Sequence, residues 1–350
     1  MTGFLTYDLA EGFALSRNKS LNFSFLKENG ELLCIARSQG FLMEPKARDL
    51  YRDFYSKASH LVELYPQYYR FLLGIVVDLE DLGMAGNIGG EICHHIRAKN
   101  LLEFDTSDTR RLEALYLLSR VSPLNAKEVE TKRSIENRLE SFTQYTDRFF
   151  KFNRPLFYDL THIVFFITDY GRKRLEGFSN LKNCLLSVGF LSILDNDLDL
   201  LSEVMICLKY IGEPIPEHWK QIIMEKQSMI DISFEQKFTS SLNSSVDDYH
   251  IYFTLNWCLS ILGKPAFTKR FNSKTPSFKH IEQKSSLLSK LSVFAHDRVM
   301  KKNAHLHAIE AFIASIKDEE FDRFNHAIAS THISHECLRE FVSQNLSIAA

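Results

Sequence analysis

The chain has 350 residues, 45% of them hydrophobic and 25% charged, with a formal net charge of −2. Length and composition call for a sizeable buried core in one large or two ordinary domains, and the near-neutral charge argues against a nucleic-acid binder that works by broad phosphate neutralisation. Six scattered cysteines without a short paired spacing argue against a disulfide framework or a zinc knuckle and point to reduced core residues of a cytoplasmic protein.

The first residues carry Asp8 and Glu11 where a secretory signal needs a basic start and a long apolar stretch. No run approaches the roughly 18 apolar residues that span a bilayer, so no membrane partner is expected. Residues 1–45 are the least periodic. They read either as a short hairpin, with strands at 21–25 and 32–36 around Glu28-Asn29-Gly30-Glu31, or as a helix pair.

From Pro45 onward the apolar spacing is helical and the fold class is all-α. Helices are predicted at 46–64, 66–82, 87–102, 108–121, 125–146, 155–170, 179–193, 197–211, 215–231, 233–242 and 246–262. Gly83, Gly171, Gly212 and Gly263 are the expected left-handed stops, and Ser122-Pro123 breaks a helix by the proline rule. Residues 264–282 are basic, polar and interrupted by two prolines, which predicts a linker. Helices near 283–300, 303–316, 319–330 and 334–346 then form a C-terminal cap. The expected domains are an N-terminal segment (1–45), a repeat domain (46–263), the linker (264–282) and the C-terminal helical segment (283–350).

The stops at 83, 122, 171, 212 and 263 lie 39, 49, 41 and 51 residues apart, the period of helical hairpins. Such hairpins stack in a superhelix or form an incomplete or closed α/α toroid whose inner helices end at those stops. The ninth residues before them are Gly74, Glu113, His162, Glu203 and Thr254; the thirteenth are Arg70, Thr109, Tyr158, Asp199 and His250. The two sets lie four residues apart on one helix face. Polar residues recur there inside apolar helices, which would place them on a common cavity.

His162, in the most apolar run of the chain, is the first candidate acid or base, with Glu203 and Asp169 beside it in the catalytic set. Asp159 at i−3 can touch His162 and fix its tautomer. Tyr158, Asp159, Glu113, Arg70 and Thr254 are the expected substrate contacts. Asp199 and Glu203 are paired carboxylates one turn apart, able to hold a divalent metal or to divide into acid and base. With His162 and His250 they make a ligand set suited to iron, zinc or manganese, although no local motif such as His-Glu-x-x-His supports it.

Plain structural roles stand beside each of these. His162 fits a hydrogen-bonded core histidine, Asp169 a cap of the loop at Gly171, and Asp195 and Asp197 first-turn acids that complement a helix dipole. His94-His95 and the C-terminal His296, His305, His307, His326, His332 and His335 fall on several faces, as solvated histidines do. Gly83 to Gly90 lacks the Lys-Ser/Thr of a phosphate loop. The basic run from Lys264 to Lys279 fits a solvated loop better than a grip on an anionic partner.

The segment Tyr158-Asp159-Leu160-Thr161-His162 through Thr168-Asp169-Tyr170-Gly171, followed by Asp197-Leu198-Asp199-Leu200-Leu201-Ser202-Glu203, resembles an uncharacterised family of bacterial all-helical proteins with a Thr-His…Thr-Asp-aromatic-Gly signature. Asp78-Leu79-Glu80-Asp81-Leu82-Gly83 and Arg111-Leu112-Glu113-Ala114 extend the resemblance over roughly 45–263. It implies an all-helical fold and carries no activity. Two readings follow: an enzyme acting on a small molecule or short peptide, with a divalent metal and a biosynthetic tailoring role, or a non-catalytic helical-repeat protein that binds a peptide or protein. A homo-oligomer fits either.

Overall fold

A computed structural model describes residues 4–17, 21–235, 247–271, 275–280, 286–300 and 308–347. In chain order the elements are β1 (Phe4–Leu5), α1 (Tyr7–Glu11), a π-turn (Gly12–Ser16), α2 (Phe23–Ser38), β2 (Leu42–Met43), α3 (Pro45–Asp49), α4 (Arg52–Leu64) and α5 (Tyr69–Asp81). There follow α6 (Ile88–Ala98), α7 (Asp108–Val121), α8 (Ala126–Thr143), α9 (Arg154–Ile167), α10 (Leu181–Asp195), α11 (Leu198–Tyr210) and α12 (Glu217–Lys226). The last are β3 (Ile230–Glu235), α13 (Tyr249–Ile261), β4 (Thr275–His280), α14 (Leu287–Met300), α15 (Ala308–Ile313), α16 (Asp318–Ala329) and α17 (Ser334–Ser347). The protein is mostly helical, and all four glycine stops have the positive φ expected of helix ends.

The chain divides into two compact units, Met1–Glu136 with Ile230–His280, and Asn137–Met229 with Ile281–Ala350. The divisions fall inside α8 and at 230 and 280.

In the first unit α5 packs against α2, α4, α6 and α7, and α13 packs on α2. The N-terminal segment takes the helical alternative: α2 runs straight through Glu28-Asn29-Gly30-Glu31. The hairpin fails for a tertiary reason. Asn29 is fully buried and donates to Phe13 O and Phe25 O while accepting from Tyr51 Oη at 2.8 Å, so its polar side chain is satisfied within the helical packing rather than by a turn. Its neighbour Gly30 leaves room for Ile75. Beyond α2, β1 and β2 pair in parallel.

Two further expectations are corrected by one feature. The helix predicted at 233–242 begins instead as β3, which pairs antiparallel with β4 from Ile230↔His280 to Glu235↔Thr275; residues 236–242 lie outside the described residues. Ile230-Asp231-Ile232-Ser233 alternates, with Ile230 buried and Asp231 exposed. The expected linker 264–282 thus contains a strand, and Phe271 and Phe278 are buried with Phe13, Phe253 and Tyr252.

In the second unit α10 is buried on nearly every face and packs against α11, α14, α16 and α17. Trp219 of α12 lies so close to Gly189 of α10 that a Cβ there would overlap the indole ring. Its Nε1 donates to Ser330 Oγ at 3.1 Å, which pins α12 beside the end of α16.

Candidate functional site

In the second unit α9 and α11 pack together, separated in sequence by α10. Each has its start fixed by a side chain. Asn153 accepts from Leu156 N with Pro155 in the first turn of α9, and Asp197 accepts from Leu200 N at 3.1 Å ahead of α11. Asp197 therefore plays the capping role weighed above. Arg154 also donates to it, through Nε at 2.8 Å and Nη2 at 2.5 Å.

Those starts set the register that brings four predicted residues together. Tyr158 Oη donates to Asp199 Oδ2 at 2.5 Å. His162 Nε2 lies 3.9 Å from Glu203 Oε1. Asp199 and Glu203 are buried, at 5% and 2% exposure, whereas the His162 side chain is 45% exposed. The imidazole is thus the accessible member beside the sheltered Glu203, with the rings of Tyr158, Phe165 and Phe166 about it.

One participant was missed in the sequence. Thr161, fully buried, has its hydroxyl 2.5 Å from Glu203 Oε2 and 3.0 Å from Tyr158 O. Its single proton goes to the carboxylate, the stronger acceptor. A threonine directly before His162 inside an apolar run was the available signal. Cys207 completes the packing, its thiol 3.5 Å from Thr161 O, and burial followed by the nearby Glu203 pushes that thiol well above its ordinary range. It stays protonated and is no nucleophile.

Burial first, then Asp199, Asp197 and Glu203, push the Tyr158 phenol far above its ordinary value. The phenol therefore remains a donor. Burial likewise raises the Asp197 carboxyl, against the pull of Arg154.

Two expected participants stand elsewhere. Asp159 is exposed on the first half of α9. Asp169 sits past the end of α9 with φ 49, its carbonyl accepting from Arg172 N, and the capping expected of it is performed by Thr168, whose Oγ1 accepts from Gly171 N at 3.1 Å.

The first unit shows the same register with different chemistry. Arg70 of α5 bonds Glu113 of α7, with Asp105 3.5 Å from Arg70 Nε and also accepting from Tyr69 Oη. Burial raises the Glu113 carboxyl, with Arg70 acting against it. Two turns on, Arg120 donates to Asp78 and Asp81, each at 2.7 Å, and Arg37 joins Asp81 and Tyr116. On α13, His250 Nδ1 lies 2.8 Å from Glu31 Oε2. The Glu31 carboxylate orients the His250 ring through Nδ1. Thr254 is buried and its hydroxyl bonds back to His250 O at 3.2 Å.

The histidine pair of α6 is half-buried to exposed, and His332 and His335 are exposed. His326 stacks on His218 with ring centroids 4.9 Å apart. His305 and His307 lie outside the described residues.

A family model described as Domain of unknown function (DUF6902) matches residues 5–343. The chain belongs to that family. No curated protein and no solved structure matches it. The DUF6902 match spans both units, so the α5/α7 and α9/α11 registers are parts of one family domain. Among the described residues, no helix is long and apolar enough to cross a membrane.

Proposed function

We propose that this DUF6902 protein is an enzyme acting on a small molecule or short peptide, with its working groups on α9 and α11. The observation that carries the reading is the treatment of two buried carboxylates. Asp199 and Glu203 are oriented by hydroxyls, Tyr158 Oη and Thr161 Oγ1, which hold a carboxylate in place without cancelling its charge. A fold that needed only a stable core gains nothing from sheltering two acids one turn apart in this way.

Asp199 and Glu203, one turn apart, are a carboxylate pair of the type that takes a divalent first-row cation such as manganese, iron or zinc. When bound there, such a cation would supply Lewis-acid polarisation of a substrate oxygen. The chain's own contribution is distinct. Tyr158 and Thr161 fix the carboxylates; His162, exposed and beside Glu203, takes or delivers a proton at Nε2. On the first unit, His250 is a second imidazole, oriented by Glu31. Six free cysteines fit a cytoplasmic, bacterial setting and a tailoring step in biosynthesis.

The runner-up is a non-catalytic helical-repeat protein that binds a peptide or protein. The Arg70–Glu113 bond favours it, because there the same register is simply neutralised. One experiment separates the two. Metal content of the untagged protein and cobalt titration are compared with those of Glu203→Gln, His162→Ala and His250→Ala, with folding followed by circular dichroism. The enzyme reading expects Glu203→Gln to stay folded and to lose metal affinity by about tenfold or more. A folded Glu203→Gln variant that binds cobalt as the parent does, or a parent that takes up none, overturns it in favour of the binding protein.

A further inference from the structure

We propose that the first unit carries a separate ligand site, for a small amphipathic carboxylate, in the cleft between α6, α7 and the start of α8. The cleft holds about 240 Å³, a little below the roughly 300 Å³ at which drug-sized pockets begin, so it suits only a small ligand. None of its lining residues belongs to α9 or α11, and it does not depend on the reading given to them.

The lining has two parts. Ile96, Leu102 and Leu118 form an apolar floor, with Ile96 and Leu118 buried. Over it lie charged groups that are not equivalent. Arg97 is already spent: its Nε and Nη2 bond the two Glu128 oxygens at 2.8 and 2.9 Å, and its Nη1 bonds Ser122 Oγ at 2.7 Å. Glu128 in turn accepts from Asn125 N at 2.8 Å, while Glu128 N donates to Asn125 Oδ1 at 2.9 Å, closing a capping box on α8. This pair is a neutral wall.

Three charges remain in the lining, Arg111, Lys127 and Glu103, and they sum to one positive charge. Arg111 Nε donates to Asp105 O at 2.5 Å, which anchors the group by one edge. The edge formed by its two terminal nitrogens can take a carboxylate bidentately. Lys127 bonds Glu103 in a pair whose side chains are 77% and 59% exposed. Exposed pairs of this kind contribute little and exchange readily, so an incoming carboxylate can replace Glu103 at Lys127 beside Arg111. A cation over an apolar floor selects an anion with an aliphatic body. Inorganic phosphate would satisfy the charge and leave the floor wet.

The probe is octanoate, titrated calorimetrically into the full chain, with octanamide, acetate and inorganic phosphate as comparisons. Saturable octanoate binding is expected, with the other three weaker by about tenfold or more. Arg111→Gln should weaken octanoate by about tenfold and leave octanamide unchanged; Lys127→Gln should weaken it by about twofold to threefold. If Arg111→Gln does not fold, salt supplies the readout on the parent: octanoate affinity falls with added sodium chloride and octanamide affinity does not. Absence of saturable binding, an Arg111→Gln variant equal to the parent, or phosphate or acetate binding as tightly as octanoate overturns the proposal.

Discussion

Two helix pairs use one sequence register and treat the acids in it in opposite ways. Between α5 and α7, Glu113 meets the guanidinium of Arg70, and two turns on Asp78 and Asp81 meet that of Arg120. Between α9 and α11, Asp199 and Glu203 meet a phenol and a threonine hydroxyl. A guanidinium neutralises a carboxylate; a hydroxyl only aims it. The first pair is built as a joint, the second as two buried acids aimed by hydroxyls. A recurring polar position in a repeat is thus no more than a place where function can be put, and the donor opposite each acid decides whether it is.

The largest effect should come from breaking the joint. Arg70→Met leaves Glu113 facing α5 without its cation and should cost about 2 kcal/mol, below the cost for a fully buried pair because both side chains keep some exposure. Adding Glu113→Gln should restore most of that loss, since the unpaired charge goes with it. Urea midpoints of parent, single and double variants test this. A double variant no more stable than Arg70→Met would show that Arg70 acts through packing, and the contrast between the two helix pairs would lose its electrostatic basis.

Tyr158→Phe tests the other side of the contrast. Removing one hydroxyl from a buried carboxylate should cost about 1 kcal/mol in the same urea experiment. The larger consequence should fall on cobalt affinity, down by about tenfold, because a carboxylate that loses its orienting donor is a poorer ligand. A variant that loses stability with unchanged cobalt affinity would make Tyr158 a structural partner of Asp199, and the two helix pairs would then differ only in which donor they use.

Much of this was legible because helix starts and stops are local chemistry. Asp108–Val121 matches its expected bounds at both ends, and counting back from Gly83, Ser122, Gly171 and Gly212 found Arg70 with Glu113 and Tyr158 with Asp199 before any contact was known. Thr161 escaped because a β-branched residue in an apolar run reads as core. Glu31 escaped because it lies 219 residues from His250, a distance no local pattern spans. The turn signal at Asn29-Gly30 was overridden by Tyr51 and Phe13, which satisfy Asn29 inside a helix. At β3 the signal was present in the alternation of Ile230 and Ile232, and a helical frame carried over from the preceding residues hid it.

The smallest expected effect is one of pH. His218 of the second unit is half-buried against His326, and burial first, then the charge of His326, lowers its pKa below 6.5, with Gln221 and Glu225 acting weakly the other way. The unfolded chain therefore takes up the proton at a higher pH than the folded one. The contribution of His218 to stability is full above about pH 6.5 and is lost as the pH falls through the lower folded value. Thermal midpoints should accordingly drop between about pH 7.5 and about pH 5.5, and His218→Gln should make that drop smaller. The joint at Arg70 and Glu113 supplies the control, since no histidine takes part in that pair and its double variant should leave the slope as it was. If His218→Gln keeps the full slope, the acid sensitivity belongs to other groups, and the stacked histidines are packing alone.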